Sequence, residues 1–152
     1  MKVKKLSKIL VPVDGSKESI CACKWACTVA EGTGAAIYLL YVIDLNLKMT
    51  SFDRVSMSGY VPGSIKKQGE ELLADYRSHM PAELEINLLL ETGSPHQTIV
   101  KIAEQTQPDW IIMGSRGASN IKEIVMGSVS QYVLHHVSCP VMIVKDDDKN
   151  LD

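Results

Sequence analysis

The residues best suited to chemistry are Gly114-Ser115-Arg116-Gly117, followed after nine residues by Gly127-Ser128. Glycine lets a backbone approach a ligand closely and reach conformations that other residues avoid. Consecutive N–H groups in such turns make a concavity for anions. Ser128 reads as the N-cap of the following helix, whose N-terminus adds unpaired N–H donors and a partial positive charge. Together these features suit phosphate groups. Arg116 either adds a charge-assisted contact or points to solvent. The competing reading is that the glycines only permit two tight turns. The pattern is neither a Walker A sequence, since Gly-Lys-Ser/Thr is absent, nor the GxGxxG dinucleotide fingerprint.

Other reactive side chains weigh less. Cys21, Cys23 and Cys27 crowd one stretch, with Cys139 far away. Only Cys23 and Cys27 share a helix face and no histidine lies nearby, so they read as small buried thiols rather than metal ligands. This is also a poor disulfide framework, which points to reduced thiols and a cytoplasmic protein. His135 and His136 fall late in the last predicted helix, where they complement its dipole. His96 falls in the first turn of its helix at the carboxyl side of the third strand, nearer the site, but reads as a surface residue. Asp14, Asp44 and Glu123 are loose candidates for acid or base work without a recognisable constellation.

These residues must be positioned by alternating strands and helices. Ile9 to Val13 is a short apolar run, as in a strand buried on both faces. Asp14-Gly15-Ser16 breaks it, and Ser16 caps a helix to about Glu31. Ile20, Cys23, Cys27 and Ala30 are spaced to share that helix's buried face. Gly32 and Gly34 end it, and Ala35 to Ile43 is a second strand. Asp44 to Gly63 reads as a long functional loop. A helix from about Ser64 to Met80 precedes a third, less buried strand from Leu84 to Leu90. Ser94, Pro95 and Gln97 predict a helix start with a capping box, and that helix runs to about Thr106. Trp110 to Met113 is a fourth strand, Gly114 to Gly127 a loop, and Pro140 to Val144 a fifth strand after the Ser128 helix. Residues 146–152 read as a frayed, solvated tail.

Strands separated by helices imply parallel pairing through right-handed crossovers. The expected fold is a single α/β domain over residues 1–152, doubly wound, with about five parallel strands and helices on both faces. Such sheets bind ligands beyond the carboxyl ends of their strands. Three connections qualify: Asp14 to Ser16, the start of the Asp44 loop, and Gly114 to Ser128.

Composition removes several classes. Of 152 residues, 16 are Lys or Arg and 18 are Asp or Glu, a net charge of −2 without the basic face of a nucleic-acid binder. Aromatic residues at 5% are too few for base-stacking platforms. The longest apolar run, Ala35 to Ile43, falls far short of the ~20 residues of a membrane span. The apolar run that follows the basic N-terminus is too short for a signal peptide.

The Gly-x-x-Gly, nine residues, Gly-Ser spacing, with Val129-Ser130 and Cys139-Pro140-Val141 after it, closely resembles the universal stress protein family. Ile9 to Ser16, Tyr41-Val42-Ile43-Asp44 and Gly93 resemble it too, so the likeness covers about Lys5 to Lys145. The glycine spacing is that of the family's ATP-binding branch. The resemblance implies a fold like that of the adenine nucleotide alpha hydrolases and a bound ATP, with Mg or Mn. It places Pro12, Val13 and Asp14 beside the adenosine, with Asp14 accepting from a ribose hydroxyl or the adenine amine. The alternative for Asp14 is an Asx turn at the helix entry. Val42 meets the adenine edge through its backbone. Met113, Gly114, Arg116 and Gly117 line the ribose and phosphates, and Gly127, Ser128, Val129 and Ser130 hold the triphosphate. The resemblance also implies a homodimer through the Pro140 to Val144 strand. The leading reading is a nucleotide-dependent regulatory module for stress response, with protein partners unnamed. A slow ATPase or phosphotransferase using the same pocket, and a nucleotide-independent adaptor, are the rivals.

Overall fold

The computed structural model describes residues 4–48, 61–116 and 126–145. The strands are β1 (Lys8–Val13), β2 (Ala36–Ile43), β3 (Ile86–Thr92), β4 (Trp110–Gly114) and β5 (Val141–Val144). The helices are α1 (Lys17–Thr33), the single turn α2 (Leu45–Lys48), α3 (Gly63–Ser78), α4 (Pro95–Thr106) and α5 (Ser128–His136). All strand pairs are parallel, in the order β3-β2-β1-β4-β5. From central β1 the chain winds outward to β3, then crosses to β4 and winds outward the other way. That reversal opens a crevice between the carboxyl ends of β1 and β4. The expected doubly wound α/β sandwich is therefore the observed one.

Each sheet face carries one core. Ile9, Val11, Ile37 and Leu39 pack against α1 and α3. Leu10, Leu40, Val42, Ile111 and Met113 pack against α4 and α5. The unbroken apolar runs of β1 and β2 follow from this burial on both sides. The edge strand β3 is less covered, and Leu88 is exposed.

Several local expectations needed correction. The buried line of α1 runs through Ser19, Ala22, Cys23, Ala26 and Ala30, while Ile20 is exposed and Cys27 half-buried. Small residues won the buried face because α1 lies close on the sheet. A Cβ on Gly114 would stand 2.7 Å from the Cβ of Glu18. Burial pushes the Cys23 thiol up to about 12 and also raises Cys27 and Cys139. These three thiols are protonated at neutral pH and poor nucleophiles. Ser94 is the N-cap of α4, with Pro95 inside, but the capping box does not form. The Ser94 hydroxyl instead meets His96 Nδ1 at 3.0 Å. The N-cap of α5 is Gly127, and Ser128 is its first helical residue.

At the amino end of the sheet, Asp109 ties β1 to β4. It accepts from the Ser7 N–H (2.9 Å), the Ser7 hydroxyl (2.7 Å) and the Lys8 N–H (3.0 Å), and pairs with Lys4 at 2.6 Å. The Lys4 ammonium and these donors hold its carboxyl well below the usual carboxylate range.

At the β5 edge, the Ile111 N–H donates to Pro140 and the Ser115 N–H to Val144. Alternation then turns the backbone groups of Val141 and Ile143 outward. Gly117, Glu123, residues 146–152 and most of the 44–63 loop lie outside the described residues.

Candidate functional site

A cleft of about 780 Å³ opens at the carboxyl ends of the strands. That volume falls within the usual range of small-molecule sites. Leu40, Val42, Ile99 and Met113 give it an apolar floor, continuous with the core under α4 and α5. Pro12, Val13 and Asp14 form the wall where β1 ends, and Gly114 and Arg116 the wall after β4. Gly127, Ser128, Val129 and Ser130 face them from the start of α5. The structure thus brings together every expected site residue except Gly117, which is not described. All three expected connections reach the cleft.

Each polar group has a local cause. Gly127 has φ −73° and ψ 160°, a conformation open to any residue. Its distinction is the missing side chain: nothing on the N-cap satisfies the N–H groups of Ser128, Val129 and Ser130. The first helical bond of α5 runs from the Gln131 N–H to the Gly127 carbonyl. The Ser130 hydroxyl is buried and donates to the carbonyls of Ser115 (2.8 Å) and Gly127 (2.9 Å). The Gly127 N–H also donates to Ser115, at 2.7 Å. Ser115 therefore anchors the start of α5 to the end of β4.

Asp14 Oδ1 accepts the Ser16 N–H at 3.0 Å and the Ser16 hydroxyl. The Asx turn considered for Asp14 is thus present, and the residue lines the cleft as well. Arg116 pairs with Glu18 of α1 at 3.5 Å, both side chains being partly buried. Sequence offered two places for Arg116, ligand or solvent, and this third one joins residues 98 positions apart.

The cleft has a fourth wall, of which the sequence marked only His96 as lying near the site. Ser94, Pro95 and His96 line it from the start of α4. His96 is half-buried, its ring set edge-on to Tyr132 at 4.6 Å, which corrects its expected surface position. Its nearness to the site was legible because β3 ends at the same edge of the sheet as β1 and β4, whereas Ser94 and Pro95 were read only as a helix start. Ser19, Tyr41 and Asn46 complete the lining. Among the described residues no three His, Cys, Asp or Glu side chains are grouped to hold a metal ion by themselves. No described helix is long and apolar enough to cross a membrane.

The family model described as "Universal stress protein family" matches residues 5–145. The chain belongs to the universal stress protein family. Universal stress protein MJ0531 of Methanocaldococcus jannaschii is 31% identical over 144 residues, covering 93% of this chain and 84% of that one. The solved structure of MJ0577, from the same organism, superposes with a TM-score of 0.82 at 28% identity, covering 96% and 100% of the two chains. Two solved structures share the universal stress protein fold at lower identity. One is a universal stress protein in complex with cAMP (TM-score 0.69, 19% identity, 93% and 98% covered). The other is a family protein from Arabidopsis thaliana with AMP bound (TM-score 0.65, 20% identity, 96% and 96% covered).

Proposed function

We propose that this universal stress protein binds ATP in the carboxyl-end cleft and works as a nucleotide-dependent regulatory module in stress response. The observation that carries the reading is the junction of an apolar floor with the side-chain-free start of α5. A flat base suits Leu40, Val42, Ile99 and Met113. Phosphates suit the N–H groups of Ser128 to Ser130, where the helix dipole favours negative charge. Asp14, at the end of β1, is an acceptor for a ribose hydroxyl or the adenine amine. Arg116, paired with Glu18, lines the cleft on the same side as the start of α5. The AMP and cAMP held by two fold neighbours support an adenosine ligand.

The donor set also suits Mg or Mn arriving with the nucleotide. Asp44 lines the cleft where β2 ends, and magnesium commonly takes one or two carboxylates together with substrate phosphates. Such an ion would neutralise phosphate charge. The cradle stabilises the triphosphate without an evident preference for the transition state, so hydrolysis is slow.

Calorimetry with ATP tests the reading. Wild type binds, and Gly127→Val weakens binding at least about tenfold, because a β-branched side chain occupies the phosphate approach. Valine adopts φ −73° and ψ 160° without backbone strain. Equal ATP affinity in a folded Gly127→Val protein sinks the reading.

The same module is a homodimer through β5. The outward backbone groups of Val141 and Ile143 form an open edge that a second β5 would complete. Light scattering gives twice the chain mass for wild type. Ile143→Pro, which removes an outward N–H and spares the β4 ladder, shifts it towards the monomer. A wild type that stays monomeric at tens of micromolar rules this out.

A further inference from the structure

We infer that Tyr76 of α3 is a positioning residue for the nucleotide site, acting through Asp14 across a buried hydrogen-bond chain. The inference rests on ATP binding in the cleft and adds how one wall is held.

The chain has one consistent direction. The Ser19 hydroxyl donates to the Ser16 carbonyl at 2.8 Å, so its single proton is used. The Tyr76 hydroxyl, 2.6 Å from Ser19 Oγ, must then be the donor of that pair. The Tyr76 oxygen accepts the Gly15 N–H at 3.2 Å. Protons therefore run from Gly15 to Tyr76 to Ser19 to the Ser16 carbonyl. A second limb runs from the Ser19 N–H to Ser16 Oγ, at 3.2 Å, and from Ser16 to Asp14 Oδ1. Both limbs close on the turn that presents Asp14 to the cleft.

The network sits in low dielectric, where such chains are strong when complete and costly when broken. Ser19 is 3% exposed and Tyr76 7%. Burial pushes the Tyr76 phenol up to about 12, so it remains a neutral donor at physiological pH. Gly15 is held at φ +84°, a conformation that needs external support to stay unique. Tyr76 gives that support through its hydroxyl. One turn earlier on α3, Leu72 Cδ1 lies 4.0 Å from the position of a Cβ on Gly15. The Leu72 and Tyr76 face of α3 is therefore the seat of the Asp14 turn.

The same helix meets the cleft through β2. Gly69 packs against Tyr41, and a Cβ there would stand 3.3 Å from its ring. Tyr41 itself lines the cleft. A ligand that fixes Asp14 and Tyr41 thus fixes the seating of α3.

Tyr76→Phe keeps the ring and removes the link. Calorimetry of the full chain should show ATP binding weakened about five- to tenfold, the range of one lost hydrogen bond. Inorganic tripolyphosphate, which has no adenosine for Asp14 to meet, should bind Tyr76→Phe and wild type alike. In an Asp14→Ala background, Tyr76→Phe should have no further effect on ATP. Hydrogen exchange of the Gly15 amide should quicken in Tyr76→Phe without ligand. Ser19→Ala, which removes the acceptor and leaves the ring packing, repeats the comparison if Tyr76→Phe folds poorly.

Unchanged ATP affinity in both variants, against a wild type that binds, overturns the positioning role and leaves the ATP reading standing. Equal losses for ATP and tripolyphosphate, or a full Tyr76→Phe effect without Asp14, overturn it too. A wild type that binds no ATP overturns both.

Discussion

At the N-terminus of α1, Ser16 closes its own helix, accepting the Ser19 N–H and donating to Asp14. Across the same cleft, the N-terminus of α5 begins at Gly127, which has no side chain to offer. Both helices start beyond the carboxyl end of a strand, and both present backbone N–H groups there. At α1 the cap takes up donors within the protein, the Ser19 N–H on Ser16 and the Ser16 N–H on Asp14, so that end is a fixed wall. At α5 they await an acceptor from outside. The difference between wall and receptor lies in the N-cap residue and not in the helix or its dipole.

Filling the empty cap makes the sharpest test. Gly127→Asp supplies an internal acceptor for the α5 N–H groups and sets a carboxylate where phosphate would sit. ATP affinity measured by calorimetry should fall more than about 100-fold, since opposed like charges cost several kcal/mol. The melting temperature should hold or rise slightly, because aspartate is a better N-cap than glycine. Loss of stability with retained binding would erase the contrast between the two helix ends.

Emptying the filled cap is the converse experiment. Ser16→Ala should lower unfolding free energy by about 1 kcal/mol in denaturant titration. ATP affinity should drop only a few-fold, through looser placement of Asp14. A loss as large as that of Gly127→Asp would mean that α1 is also a receptor.

The amino end of the sheet supplies the control with the smallest effect on binding. Asp109 has a native pKa below its ordinary value, so it stabilises the fold above the carboxylate range and loses that effect as pH falls through it. Asp109→Asn should therefore lower the melting temperature at pH 7, with the gap to wild type closing below about pH 4. ATP binding at pH 7 should not change. A gap constant across pH would show that the charge of Asp109 is not what ties β1 to β4.

Much of this was legible in the sequence, for local reasons. The apolar runs of β1 and β2 announced burial on two faces, and Ser16, Gly34 and Pro95 marked helix ends through backbone preferences that act over a few residues. The cleft walls followed from the rule that ligands meet strand ends. What stayed hidden depends on approach between distant segments. Ile20 looked like core because its spacing fits, but the close seat of α1 selected the small side chains instead. Ser94 and Gln97 fit a capping box, but the Ser94 hydroxyl meets His96, whose ring packs against the distant Tyr132 of α5. The Glu18–Arg116 pair and the bond from Gly15 to Tyr76 join residues too far apart for any local pattern to foretell.

The strand order also dictates when the cleft comes into being. Residues 8–92 carry β1, β2 and β3, which pair side by side, but their helix α1 shares its core with Ile112 of β4 and Val144 of β5. Until β4 emerges, the other edge of β1 is an unpaired apolar strand, open to wrong partners. The cleft needs β4 and α5, so it exists only after the second half has docked. A ligand there spans residues of both halves, so it binds the assembled fold and acts as a latch on the last step. It should slow escape from the finished fold far more than it hastens arrival.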